Sequence, residues 1–342
     1  MIQIEQMIVK NRADCTGCYA CYNVCPVQAI SMIEDKEGFR YPQVNTDSCL
    51  KCGACGHVCP VLNPLQVAET GEPATYAAIN DKEGVRQNSS SGGIFHALAE
   101  RVLQEGGVVF GAGFDDNWEV SHQPAEIEEE LAALQVSKYL QSRAEDVYQK
   151  VRQELSAGRK VLFYGTPCQC AALRSVLRRD DENLLLVDFI CHGVPSPAVW
   201  REYLAKRTGG EEIQGIYFRN KYLAEDLYTD LYLKGFLQNL YLRPSCHECH
   251  FCRQNRPTDI TLADFWGVAE ELPEAYVPGT RIRPLVWGGC LASILLRTSI
   301  IPILRSQLRN FGGAGIFLLA HGFGIMFTFP WVAIAVPVGA GY

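Results

Sequence analysis

From Ala77 onward the chain alternates between two hydrophobic periods. In "GGIFHALAERVLQEGG" (92–107) apolar residues recur every three or four positions, which predicts an amphipathic helix, and "VVFGAGF" (108–114) then predicts a buried strand. "RAEDVYQKVRQELSAGR" (143–159) reads as a helix ending near Gly158, "KVLFYG" (160–165) as a strand, "CQCAALRSVLRR" (168–179) as a helix and "LLLVDFI" (184–190) as a further strand. Strands and helices alternating at this spacing predict an α/β core with substantial parallel pairing. Before Ala77 cysteine spacing, not hydrophobic period, organises the chain, and "NPLQVAETGEPATY" (63–76) reads as a connecting stretch.

The 342 residues accommodate two or three folding units. The expected division is a small cysteine-rich module at 8–64, a linker at 65–76, an α/β domain at 77–280 with parts divided near 160, and an atypical apolar tail at 281–342. After Glu274 there is no Asp or Glu, and after Lys234 no Lys. A C-terminal membrane span preceded by Arg305 and Arg309 is one reading of that tail, opposed by Pro330, Pro337, His321 and seven glycines in its last 32 residues.

The formal net charge is −7 and no Lys/Arg run occurs, so the footprint of a nucleic-acid binder is missing. The opening "MIQIEQMIVKN" has no apolar h-region, so a cytoplasmic, reducing location is expected, where thiols stay available as ligands.

Fifteen cysteines fall into groups. "CTGCYACYNVCP" (15–26) and "CLKCGACGHVCP" (49–60) repeat one C-x2-C-x2-C-x3-C-P pattern, the spacing of a ferredoxin with two [4Fe-4S] clusters, whose fourth cysteine crosses to the other cluster. Cys15, Cys18, Cys21 and Cys59 would then hold one cluster, and Cys49, Cys52, Cys55 and Cys25 the other. A zinc site would pair C-x2-C with a distant second pair, and a disulfide framework suits an oxidising compartment; neither fits this spacing and setting.

Three further stretches carry chemistry. "NSSSGG" sets Ser90, Ser91, Gly92 and Gly93 before a helix, as a phosphate cradle or simply a helix cap. "YGTPCQC" puts Cys168 on a strand-to-helix turn, as a ligand or an inert thiol, with Cys170 facing the core. "CHECHFC" spaces Cys246, Cys249 and Cys252 for a third cluster completed by Cys191 or Cys168, or for a zinc knuckle using His247 or His250.

Taken in order, "SSSGG", "SKYLQS", "YGTPCQC", "CHGVPSP", "RPSCHEC" and "DITLADFWG" resemble the coenzyme F420 hydrogenase/dehydrogenase beta-subunit family, in its bacterial branch with a fused N-terminal ferredoxin, from about residue 10 to Thr280. The resemblance implies an α+β ferredoxin-like two-cluster module followed by an α/β flavin-binding domain, with FAD and a third [4Fe-4S] cluster. By position it implies Ser90, Ser91, Gly92, Gly93, Lys138 and Tyr139 as flavin contacts and Cys246 and Cys249 as ligands, while Cys252 sits where members vary. It further implies electron exchange between the clusters and a hydride donor or acceptor, with a redox partner protein or ferredoxin. After "PGT" (278–280) both pattern and charge are abandoned, which suggests a reading-frame shift near codon 280; re-sequencing the locus tests it, and an intact frame with the same tail would refute it.

Overall fold

The computed structural model describes residues 12–66, 73–78, 80–216, 218, 230–253, 256–265, 317–318 and 331–337. The first unit carries a two-stranded antiparallel sheet, β1 (Ile30–Glu34) against β2 (Arg40–Val44), and two five-residue helices, Ala20–Val24 and Ala54–Val58. The second is built on a sheet comprising β3 (Pro73–Ala78), β4 (Val108–Phe114), β5 (Val120–Ala125), β6 (Val161–Tyr164), β7 (Leu184–Phe189), β8 (Ile260–Phe265), β9 (Phe317–Leu318) and β10 (Trp331–Pro337). Their order is β5-β4-β6-β7-β8-β10-β3-β9. The run β4-β6-β7-β8 is parallel, and the outer pairings are antiparallel.

Side-chain alternation explains why the central strands read as unbroken apolar runs. Val108, Phe110, Val161, Phe163, Leu184 and Leu186 face one core with Tyr148, Val151 and Leu155 of the Val147–Ser156 helix and Leu173 and Val176 of the Pro167–Leu177 helix. Val109, Leu162, Leu185 and Val187 face the other, against Ile94, Ala99 and Val102 of the Ile94–Gln104 helix. Both faces are covered, so every position must be apolar, and each fully buried Leu or Phe contributes roughly 1.5–3 kcal/mol.

Tyr19, Ala20 and Val58 of the cysteine-rich unit belong to the first of these cores. Polar ties reinforce the contact: Tyr148 Oη donates to Cys18 O at 2.8 Å, Gln149 Nε2 to Asn23 O at 2.9 Å and Gln141 Nε2 to Thr16 O at 3.1 Å.

β3 takes up the end of the stretch read as a linker, and β10 lies between β8 and β3. Most of the apolar tail, including Arg305, Arg309 and His321, lies outside the described residues. Among the described residues no helix is long and apolar enough to cross a membrane.

Candidate metal centres

The two cysteine repeats fold alike. Between the first and second cysteines Gly17 and Lys51 are left-handed (φ 63° and 54°), and between the second and third so are Tyr19 and Gly53 (φ 66° and 74°). Each third cysteine lies in a five-residue helix, and Cys25 and Cys59 leave those helices with nearly equal dihedrals, φ −69°, ψ 113° and φ −67°, ψ 115°. Such alternation turns successive N–H groups toward one concavity, a geometry suited to anionic sulfur.

The thiols group across the repeats. Burial pushes the Cys18 and Cys21 thiols far above the ordinary range, and Cys59 and Cys15 raise both further. Cys59 of the second repeat thus stands with the first three cysteines of the first. Burial also raises Cys55, whose thiol neighbours are Cys52 and Cys49. Backbone amides reach two more sulfurs, Ala29 N to Cys25 Sγ at 3.2 Å and Lys51 N to Cys49 Sγ at 3.4 Å. The second group is the outer one: Cys52 is exposed, as is Leu50 beside it at 65 %.

A third group forms from three separate loops. Cys168 sits at the start of the Pro167–Leu177 helix just beyond β6, Cys191 follows β7, and Cys246 and Cys249 come from the segment held beside Val194 by the Arg243 N to Val194 O bond at 2.8 Å. Burial pushes the Cys168 and Cys191 thiols up to about 12, with Cys246 and Cys249 raising both. These four, with Cys252, Thr16 and Gly17, line a cavity of about 80 Å³. Cys168 also raises Cys18, so the cavity abuts the inner ferredoxin group. Crowded, desolvated thiols of this kind ionise together only around a compensating cation, because the cation removes both the desolvation cost and the mutual repulsion.

All described cysteines are free thiols. Among the described residues no three His, Cys, Asp or Glu side chains close on one point as a single ion with Zn–S distances of about 2.3 Å requires, whereas a four-iron body is wider. His247 and His250 do not line the cavity.

Residues 14–63 match the family model for a 4Fe-4S dicluster domain, and residues 158–277 match that for the C terminus of the coenzyme F420 hydrogenase/dehydrogenase beta subunit. Residues 158–277 belong to that beta-subunit family. The chain therefore joins an iron–sulfur electron-transfer domain to an F420 hydrogenase beta-subunit-like domain. Among solved structures, one similar chain is from the F420-reducing [NiFe] hydrogenase complex of Methanosarcina barkeri, studied by xenon derivatization, with 19 % identity and a TM-score of 0.42 over 58 % of this chain and 73 % of that one. No curated protein matches.

Just before the beta-subunit match, the fold brings together the two segments singled out for a flavin. Ser137 N donates to Ser90 Oγ at 2.6 Å, joining "SSSGG" to "SKYLQS". Gly93 is left-handed (φ 79°) at the cap of the Ile94–Gln104 helix, where a Cβ would stand 3.0 Å from Asn80 Cβ. Burial lowers Lys138 to about 7, and its ammonium donates to Gln135 O at 2.5 Å, with no carboxylate among its bonded partners. A helix N-terminus, a hydroxyl and an enclosed cation suit a phosphate-bearing group. Tyr139 instead packs on Phe218 and Phe236, and its carbonyl accepts from Tyr232 Oη at 2.8 Å.

Several buried residues of the beta-subunit region are ones the sequence reading missed. Asp188 is wholly buried and pushed up to about 6 by desolvation, although Arg256 and Thr261 bond to it. Arg256 also lines the cysteine cavity. Asp259, singled out beside its strand, is a brace: it accepts from Arg174 at 2.9 Å and from Leu186 N at 2.7 Å.

Proposed function

We propose that the protein is an iron–sulfur flavoprotein oxidoreductase in which three [4Fe-4S] clusters relay single electrons toward or from a bound FAD. The outer cluster is held by Cys25, Cys49, Cys52 and Cys55, the inner by Cys15, Cys18, Cys21 and Cys59, and the third by Cys168, Cys191, Cys246 and Cys249. Cys252 lines the same cavity without belonging to the coupled quartet. The observation that carries the reading is the cavity itself, lined on one side by the quartet and on the other by the Thr16–Gly17 turn between two inner cysteines.

Ser90, Ser91, Gly92, Gly93 and Lys138 form the flavin's phosphate end, with Tyr139 behind them. A flavin supplies the exchange between hydride chemistry and one-electron carriers, while the protein orients it and sets its electrostatics. The exposed outer cluster is where a ferredoxin or redox subunit docks, and the hydride donor or acceptor is a small molecule.

Anaerobic purification followed by iron, sulfide, zinc and flavin assays tests the reading. About twelve irons and one FAD per chain are expected. About eight irons would remove the third cluster, and one zinc would move Cys246 and Cys249 out of the redox account. A non-catalytic subunit feeding a partner enzyme is distinguished by bound flavin without turnover of small acceptors.

A further inference from the structure

Arg243 is wholly buried, and its environment is unusual for a cation. Its Nε donates to Cys15 O at 2.7 Å, Nη1 to Gln141 Oε1 at 3.0 Å and Nη2 to Arg40 O at 3.0 Å. Its three hydrogen-bond partners are thus two backbone carbonyls and one amide; none is a carboxylate. The guanidinium lies 4.3 Å from the Tyr41 ring centroid and 5.3 Å from that of Phe39. Arg12 shares the Tyr41 ring at 4.1 Å, but Arg12 is exposed and has Asp35 at 3.0 Å. Buried charges are ordinarily paired or set against a metal centre, because desolvating an ion is costly.

Its position supplies the missing counter-charge. Arg243 grips the carbonyl of Cys15, and a Cβ on Gly17 would meet its Nη1 at 2.8 Å, so it presses on the loop carrying the inner ferredoxin thiols. Its own backbone opens the turn that bears Cys246, whose N–H donates to Arg243 O at 2.8 Å. The guanidinium therefore stands between two groups of thiols that become anionic when they bind iron. Gln141 holds it from a third direction and ties itself to Thr16 O.

We propose that Arg243 is a fixed positive charge at the junction of the inner and third clusters, raising the reduction potential of both and making electron passage between them more favourable. This rests on the three-cluster reading above. Reduction of either cluster takes one electron from an external donor and adds one negative charge. Arg243 stabilises that charge without giving up a proton, since its guanidinium stays protonated. Net charge and hydrogen bonding around a cluster are recognised determinants of its potential.

The test uses the full chain purified without oxygen, with iron and sulfide measured beside an EPR-monitored redox titration. Arg243→Met is expected to keep its iron but lower the equilibrium constant for one-electron reduction of at least one cluster about tenfold, about 59 mV. Arg243→Lys, which keeps the charge and loses the three-way fork, should stay near the wild-type potential, whereas a purely structural clamp would fail in both variants. If Arg243→Met does not assemble, Gln141→Glu places a carboxylate against the same guanidinium and should lower the potential likewise. Wild-type protein with twelve irons and either neutralised variant at the wild-type potential overturns this proposal alone. Wild-type protein without iron overturns the cluster reading, and this proposal with it.

Discussion

Gly17 and Lys51 occupy the same left-handed place in the two repeats, and their difference shows how one residue registers its surroundings. Lys51 is exposed, so the second repeat carries a side chain there at the modest cost of that conformation. Gly17 is buried against Arg243 and Gln141, where a Cβ would stand 2.8 Å from each. Gly17→Ala should therefore destabilise the protein by roughly 1–3 kcal/mol in anaerobic denaturant unfolding, while Lys51→Gly should be neutral or slightly stabilising. His122 makes a second prediction at this scale. It stacks on Phe163 at 5.0 Å with Nδ1 2.7 Å from Ser142 Oγ, and burial lowers its pKa from 6.5 to about 4. The unfolded chain then takes up the proton first, so stability falls as pH drops from 6.5 toward 4, by roughly 2–3 kcal/mol. His122→Asn should flatten that slope in urea titrations between pH 4 and 7. The eight ferredoxin cysteines were legible because their ligand spacing is local. Arg243 was not, since its burial depends on Cys15, Gln141 and Tyr41 from distant parts of the chain.

The Pro167–Leu177 helix shows what is legible in an element. Its apolar stripe and leading proline announced it, and the structure adds a capping box in which Thr166 and Gln169 satisfy each other's backbone amides. Thr166 Oγ1 also lies 3.1 Å from Cys168 Sγ, so one hydroxyl serves both cap and thiol. Thr166→Ala should cost about 1 kcal/mol in thermal unfolding. Thr166→Ser should restore most of it, since the loss comes from the hydroxyl. The central strands were legible from continuous apolar runs. The short β3 and the antiparallel β5 carried no comparable signal, because Val120–Ala125 mixes polar and apolar residues and pairs on one side only.

Across the whole molecule, the cysteine-rich unit and the α/β unit meet through Tyr19, Ala20 and Val58 inside a common core and through backbone ties from Tyr148, Gln149 and Arg243. The sequence repeat marks the first unit as a separate piece, but hydrophobic pattern says nothing about which apolar residues cross a boundary. The third group of thiols was only partly legible for the same reason. Cys168, Cys191 and Cys246 are separated by long stretches and converge because parallel strands place successive loops at one end of the sheet. Scanning calorimetry should register one transition for both units; a separate early transition lost on deleting residues 1–64 would show the docking to be weak.

The depth of the cysteine groups also orders their fate in air. Cys52 and Leu50 meet solvent, whereas Cys18 and Cys21 lie against the α/β unit and its aromatic packing. Oxidants would strip the rim first and leave the sheltered centres charged with iron, so brief aeration should remove about a third of the metal in a fast phase before a slow one.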